Sequence, residues 1–434
     1  MLDKRYRPIA YNLVCGFLGS LHSTPRGIER IDFGCASFLF ENWPADCVGV
    51  LPLPWGVRFF PRDRILRARD RLAKTWREAT DVEADAAYRR LRSRLHDPSL
   101  STPEPTGHRD RFNISGYMRA LRLLLIEGID PGRSVDQLPR DSIYIDVGHN
   151  GVSRNFLLRW LKRRPDITPI FMVHDTIPLE LPDIVHPASV ETHGRIMQFT
   201  AQYARAVVAP TQSAGKLIRE ELARRGATEV PVNDIPLPID AAFHPGVEAD
   251  PAFLDHPYFL VCGVIEVRKN QAMLVRIWQN LVAKLGDRAP RLIIAGRAGF
   301  GAGEVIDQLA QSTMLDRHVF ISSGLSTPAI AKLMAGARAL LMPSMAEGFG
   351  LPPVEAMAVG TPAILSDIAA HRDAAGDYGV FIDPMDAEGW QQQIEAMCDD
   401  TPEYVALKAR VAQFRPQDWR GFMGAVEQIL LELP

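Results

Sequence analysis

The sequence is poor in the features that mark secreted, membrane-spanning or nucleic-acid-binding chains. Its five cysteines (Cys15, Cys35, Cys47, Cys262 and Cys398) are odd in number and scattered through 434 residues. None belongs to a Cys-x-x-Cys pair, so neither a disulfide framework nor a zinc site is indicated, and buried thiols in a reducing compartment are expected. No apolar run reaches the roughly 18 residues of a candidate membrane span. The basic start followed by Ile9-Ala-Tyr-Asn-Leu-Val-Cys has some of the look of a secretory leader. Asn12 interrupts it and no small-residue cleavage site follows, so it reads as a first buried strand, and a cytoplasmic location is expected. Positive charge is not in excess either: 49 Lys and Arg oppose 52 Asp and Glu, a net charge of −3. That balance argues against a general nucleic-acid-binding protein. Internal repeats and low-complexity tracts are also lacking.

What remains is ordinary globular composition, 47% hydrophobic and 23% charged, in a chain long enough for two or three domains. Short apolar runs alternate with helical patterns, which predicts an α/β architecture with parallel sheets. Candidate strands are Ala10–Val14, Asp46–Leu51, Ser142–Asp146, Pro169–His174 and Ala206–Ala209, then Tyr258–Cys262, Arg291–Ala295, Val319–Ile321, Ala339–Met342 and Ala363–Leu365. Prolines crowd the interval Pro236–Pro257 and place a domain boundary there. The expected division is 1–245, 246–414 and a terminal helix over 415–434. An arginine-dense insertion spans about 55–130, with a helix over Arg64–Arg77 on which Ile65, Leu72 and Trp76 recur at helical spacing.

The most informative stretch is Glu347-Gly-Phe-Gly-Leu-Pro-Pro-Val-Glu355. Two carboxylates stand eight positions apart, around a glycine-rich turn and a Pro-Pro step. Proline suits a first helical turn, so a helix is expected to begin near Pro352 or Pro353, with Glu355 in its opening turn. Unpartnered amides at such a terminus form a site for phosphate, and Gly348 and Gly350 allow close approach of the main chain. Carboxylates at either end of the loop can accept hydrogen bonds from sugar hydroxyls. A diphosphate and sugars together describe a nucleotide sugar.

Residues 343–367 resemble the donor-binding signature of retaining glycosyltransferases of family four. The resemblance implies a GT-B fold: two doubly wound, Rossmann-like domains with parallel sheets facing across a cleft, and a last helix returning to the first domain. It also assigns roles. Gly263-Val-Ile-Glu-Val-Arg268-Lys269 is similar to the family's loop whose lysine stabilises the departing nucleoside diphosphate, a role carried to Lys269 and to Arg268. Many members have an arginine where this chain has Val264, and Arg268 is the candidate substitute. Glu347 would hold the transferred sugar and Glu355 the ribose, with Gly348, Phe349, Gly350 and Leu351 lining the phosphates. Ile321 would contact the base. The segment around Gly27 resembles the glycine loop that folds over the donor from the opposite wall; a plain strand-to-helix turn is the alternative.

His174-Asp175-Thr-Ile-Pro178 resembles the His-Asp-x-x-Pro variant of bacterial polysaccharide glycosyltransferases. His174 would contact the sugar or position the acceptor, with Asp175 as the alternative on the acceptor side. The implied reaction moves a hexose from a nucleotide diphosphate sugar to a hydroxyl with retention, and needs no cofactor and no metal. GDP-mannose or a related donor is the leading expectation, with UDP- and dTDP-sugars open, and the acceptor would be a glycan or a lipid-linked glycan. A nucleotide-sugar epimerase and a non-catalytic GT-B binding protein are the rival readings. From Arg58 to Arg94, twelve Arg and Lys face six Asp and Glu. This stretch is either a solvated helix face or a patch that rests on an anionic membrane surface.

Overall fold

The computed structural model describes residues 5–15, 27–78, 82–96, 131–149 and 152–433. Two sheets organise the chain. The first contains β1 (Ile9–Asn12), β2 (Cys47–Leu53), β3 (Gly56–Pro61), β4 (Arg133–Ser134), β5 (Ile143–Asp146), β6 (Thr168–Met172), β7 (Ala206–Ala209) and β8 (Val232–Asp234). Their order is β4-β3-β2-β1-β5-β6-β7-β8. The second contains β9 (Tyr258–Cys262), β10 (Arg291–Ala295), β11 (Val319–Ser322), β12 (Leu340–Met342), β13 (Ala363–Ser366) and β14 (Val380–Ile382), ordered β11-β10-β9-β12-β13-β14.

Strands such as Tyr-Phe-Leu-Val-Cys in β9 and Leu-Leu-Met in β12 are buried throughout, as expected of parallel strands covered by helices on both faces. Strand order reverses between β1 and β5 in the first sheet and between β9 and β12 in the second. Open α/β sheets bind ligands beyond the carboxyl ends of the strands at such a reversal. The segments after β5 and β6, and those after β9 and β12, supply the residues described below.

The first sheet departs from a purely parallel one. The chain turns over Pro54 and Trp55, and β3 runs back antiparallel to β2, with Leu53 opposite Gly56. β4 then pairs antiparallel with β3. Residues 56–61 therefore extend the sheet, where the sequence suggested the start of an insertion.

The helix expected over Arg64–Arg77 runs from Arg62 to Glu78. Its arginines do not form one free basic face. Arg64 is buried with its guanidinium 5.5 Å from the Phe60 ring centroid. Arg62 donates to the Trp43 carbonyl at 2.7 Å, and Arg69 pairs with Glu41 and Asp70 at 2.5 and 2.6 Å. The next helix, Ala86–His96, packs on the second domain. Tyr88 donates to Asp250 at 2.9 Å, Asp85 accepts from the Ser326 amide at 2.8 Å, and buried Arg94 lies 5.4 Å from the Phe320 ring centroid. The basic stretch thus engages Arg62, Arg64 and Arg69 within the first domain and joins the domains through Asp85, Tyr88 and Arg94. The remainder of the expected insertion, 97–130, lies outside the described residues.

The last helix, Trp419–Glu432, returns to the first domain. A Cβ at Gly34 would lie 2.0 Å from the Trp419 ring, so only glycine admits that indole. Phe422, Met423 and Leu430 are buried against Cys35, Leu39, Ile145 and Ile170. Three such side chains contribute about 1.5–3 kcal/mol each by burial.

Candidate active site

Lys269 and Arg268 end the single 3-10 turn that follows β9, and both reach Glu347 after β12. The Lys269 ammonium lies 2.5 Å from Glu347 Oε1, and Arg268 donates to Glu347 Oε2 at 3.0 Å. Arg268 also donates to the Ala346 carbonyl at 2.5 Å and to Glu266 at 2.7 Å. Burial alone would raise Glu347, but the Lys269 and Arg268 charges outweigh it and hold the carboxyl well below the usual carboxylate range. Burial pulls Lys269 down from the ordinary lysine range, with Glu347 opposing that pull. Arg268 stays firmly charged between its two carboxylates. Gly263, at φ +134°, leaves room behind Lys269: a Cβ there would stand 3.7 Å from Lys269 Cε.

The glycine-rich turn fits against the first domain. A Cβ at Gly348 would lie 2.4 Å from the His174 carbonyl oxygen, and the Gly348 carbonyl accepts from the Thr211 hydroxyl at 2.9 Å. Gly350 takes φ +87° and caps the helix Leu351–Ala358, while Phe349 is buried beneath the turn. Gly27 meets this terminus from the other domain, where a Cβ would be 3.3 Å from Leu351 Cδ1.

Two expectations about this helix are corrected. It begins at Leu351, so Glu355 is its fifth residue, beyond the opening turn. Pro352 and Pro353 carry no N–H, so two of the amides a helix terminus ordinarily offers to an anion are missing. The amides of Gly350 and Leu351 remain, and the task of meeting phosphate charge shifts toward Lys269 and Arg268. Glu355 is buried and accepts a 2.5 Å hydrogen bond from Arg30 of the first domain.

Opposite this charged wall stands a group of imidazoles. His174, two residues past β6, is buried, and its Nε2 lies 2.7 Å from the Val147 carbonyl, which makes that nitrogen the donor. Its backbone amide donates to His149 Nε2 at 2.9 Å. His149 is in the left-handed region at φ 55°, a conformation uncommon for a side chain of this size. Its ring centroid lies 4.9 Å from His174 and 5.7 Å from His193. Burial lowers both His149 and His174 below the ordinary histidine range. Asp175 caps the following turn by accepting from the Ile177 amide at 3.1 Å, and lies 3.8 Å from His193 Nε2.

Beneath the histidines, Asp146 accepts from Asn12 at 2.6 Å and from the Gly148 amide at 3.1 Å, which shapes the turn that carries His149. Burial pushes the Asp146 carboxyl up to about 7.

The structure thus gathers Gly27, His174, Asp175, Gly263, Arg268, Lys269, Glu347, Gly348, Phe349, Gly350, Leu351 and Glu355 about one cleft. Ile321 stands apart at the carboxyl end of edge strand β11. Its neighbour Ser322 accepts from the Gly296 amide at 2.9 Å, so it borders the loop beside Gly263. Sequence reasoning missed His149, Arg30 and His371. His149 follows a recognised strand, as His174 does, but Asn150 follows it where His174 has Asp175 and the x-x-Pro. His371 is fully buried, with Nδ1 3.0 Å from the Ser366 carbonyl and Nε2 unpartnered beside Gly350. No local pattern announced it.

Two Rossmann-like domains with strand reversals facing one cleft, and a last helix crossing back, define the GT-B architecture. Residues 248–414 match the family described as Glycosyl transferases group 1. An O-antigen chain mannosyltransferase B of Escherichia coli is 31% identical over 163 residues, 37% of this chain and 42% of that protein. The serotype-specific mannosyltransferase WbdA of the same species is 24% identical over 282 residues, 61% of this chain and 33% of WbdA. The chain therefore spans less than half the length of these relatives. Among solved structures, the sucrose-phosphate synthase of Thermosynechococcus elongatus superposes with a TM-score of 0.58 at 18% identity, covering 98% of this chain and 99% of that one. That likeness is one of fold. No helix among the described residues is long and apolar enough to cross a membrane.

Proposed function

We propose that the chain is a retaining glycosyltransferase. It moves a hexose from a nucleotide diphosphate sugar to a hydroxyl of a glycan or lipid-linked acceptor in surface polysaccharide synthesis, on the cytoplasmic side. The observation that carries this reading is Glu347 held between Lys269 and Arg268 at the strand reversal of the second sheet. The two mannosyltransferase relatives favour GDP-mannose as donor, ahead of UDP- and dTDP-sugars.

The difficulty of the reaction is charge. As the C1–O bond breaks, the sugar becomes oxocarbenium-like and the diphosphate gains negative charge. Cations fixed before the reaction meet that charge without reorganising. Lys269 donates one described hydrogen bond, to Glu347, so two ammonium protons remain for the phosphate. Glu347, kept ionised by its two partners, accepts hydroxyls of the transferred sugar. The acceptor enters from the histidine wall, where neutral His174 offers Nδ1 as a hydrogen-bond acceptor. Attack on the face the diphosphate leaves, with the departing phosphate taking the hydroxyl proton, yields retention without an enzymic nucleophile.

Incubation with GDP-mannose, UDP-glucose and dTDP-sugars, together with lipid-linked and soluble glycan acceptors, tests the proposal. The expected result is nucleoside diphosphate release with an α-linked product from an α-linked donor, unchanged by EDTA. An inverted linkage, or activity lost to EDTA and restored by Mg²⁺, would overturn the mechanism. An epimerised donor without transfer would overturn the function.

A further inference from the structure

One buried charge pair crosses the cleft between the domains. Arg30 lies in the first turn of the helix Gly27–Asn42, and its side chain is 15% exposed. Its guanidinium is 2.5 Å from Glu355 Oε1 in the second domain, where the carboxylate is 4% exposed. The Phe243 ring supports the guanidinium from the interdomain segment at a centroid distance of 5.7 Å. Gly27, at the start of the same helix, touches Leu351, so the amino-termini of two helices, one from each domain, meet beside the pair. No other hydrogen bond to the Glu355 carboxylate is present among the described residues.

The ionisation of Glu355 matters for what it can hold. A carboxylate accepts hydrogen bonds from both hydroxyls of a vicinal diol, whereas a carboxylic acid spends one oxygen as a donor. Burial drives Glu355 upward, Asp240 adds to that drive, and Arg30 opposes it. Cys262 also faces Glu355, and burial keeps its thiol neutral.

We propose that Arg30 is a positioning residue for the ribose of a nucleoside diphosphate: it aims the Glu355 carboxylate, keeps it ionised, and ties nucleoside binding to closure of the first domain on the second. The proposal rests on the reading of Glu355 as the ribose-holding group. In an open cleft Glu355 loses the guanidinium that aims it, so the open form binds the diol poorly. By linkage, nucleotide binding then favours closure to the same extent that closure favours binding.

Calorimetric titration of UDP, GDP and dTDP into full-length wild type, R30Q, R30K and E355Q from pH 6 to pH 9 tests this. Wild type should bind its preferred nucleotide with nearly constant affinity. R30Q should bind about tenfold more weakly at pH 6, because burial then raises Glu355 with no guanidinium to oppose it and more of the carboxyl is protonated. That gap should close toward pH 9, as Glu355 ionises unaided. R30K, with a shorter reach, should show the same pH trend at about a third of the loss, and decides the matter should R30Q fail a thermal-unfolding check. E355Q should be weak at every pH. A loss in R30Q and R30K that does not change with pH would make Arg30 merely structural and overturn the proposal. So would arginine variants that match wild type while E355Q is weakened, and in that case the ribose reading survives. Undiminished binding by E355Q would remove the ribose reading itself.

Discussion

The two walls of the cleft solve different chemical problems with different residues. The second-domain wall is charged and paired. Arg268 and Lys269 both pair with Glu347 at 2.5–3.0 Å, which leaves the trio one positive charge in excess, and all three come from the loops after β9 and β12. The first-domain wall is built of imidazoles with one carboxylate at its edge: His149 and His174 are buried and held below the ordinary histidine range, with His193 and Asp175 beside them. A departing diphosphate demands fixed charge, whereas a neutral hydroxyl demands fixed hydrogen-bond partners. In the proposed reaction the donor takes one wall and the acceptor the other.

The largest break in this division should come from Lys269→Ala. It removes a cation aimed at the leaving group, and losses of comparable donors reduce turnover by about 10²–10³-fold. Steady-state kcat with the preferred donor checks it; a value within twofold of wild type would remove Lys269 from the mechanism. A smaller effect is expected from His149→Ala, which takes away the acceptor for the His174 amide and the ring packed on it. Transfer to acceptor should fall about tenfold, equivalent to roughly 1.4 kcal/mol, while hydrolysis of the donor by water changes little. Equal loss of both rates would place His149 on the donor side.

The smallest effect concerns stability. Burial lowers His149, His174 and His371, so below the ordinary pKa of about 6.5 the unfolded chain binds protons there that the folded protein refuses. Their contribution is complete above that pH and is lost as the pH falls through it. Asp146, at about 7, acts in the opposite sense, because the folded protein keeps a proton the unfolded chain releases, and so offsets one of the three. Urea midpoints should therefore decline from pH 6.5 to 5.5, and less steeply in His371→Asn. A midpoint that rises on acidification would contradict the assignment.

The same contrast governs what the sequence disclosed. The charged wall was legible because its chemistry is packed into short segments: the cations beside a strand-ending glycine, the carboxylates eight positions apart. β7, β9 and β10 coincide with their sequence-derived limits, since each is a short apolar run bounded by turn residues. The histidine wall was only half legible. His149 and His193 reach His174 through the β5–β6 arrangement and a helix packed above it, and that proximity has no linear signature. Arg30 escaped notice because its partner lies 325 residues away. β3 was misread because Pro-Leu-Pro-Trp-Gly looks like an interruption, whereas an edge hairpin tolerates proline. In the arginine-dense stretch, counting charges does not reveal which are engaged by Trp43, Glu41 or Phe320.

The most direct test of the division between the walls is nucleoside diphosphate affinity, measured by calorimetry with UDP, GDP and dTDP on wild type, K269A and H174A. On the proposed function, Lys269 is the cation that meets the diphosphate, so K269A should lose at least about tenfold in affinity, on the scale of one charge-assisted hydrogen bond. H174A should stay within twofold of wild type. Affinity lost equally in both variants, or only in H174A, would contradict the account.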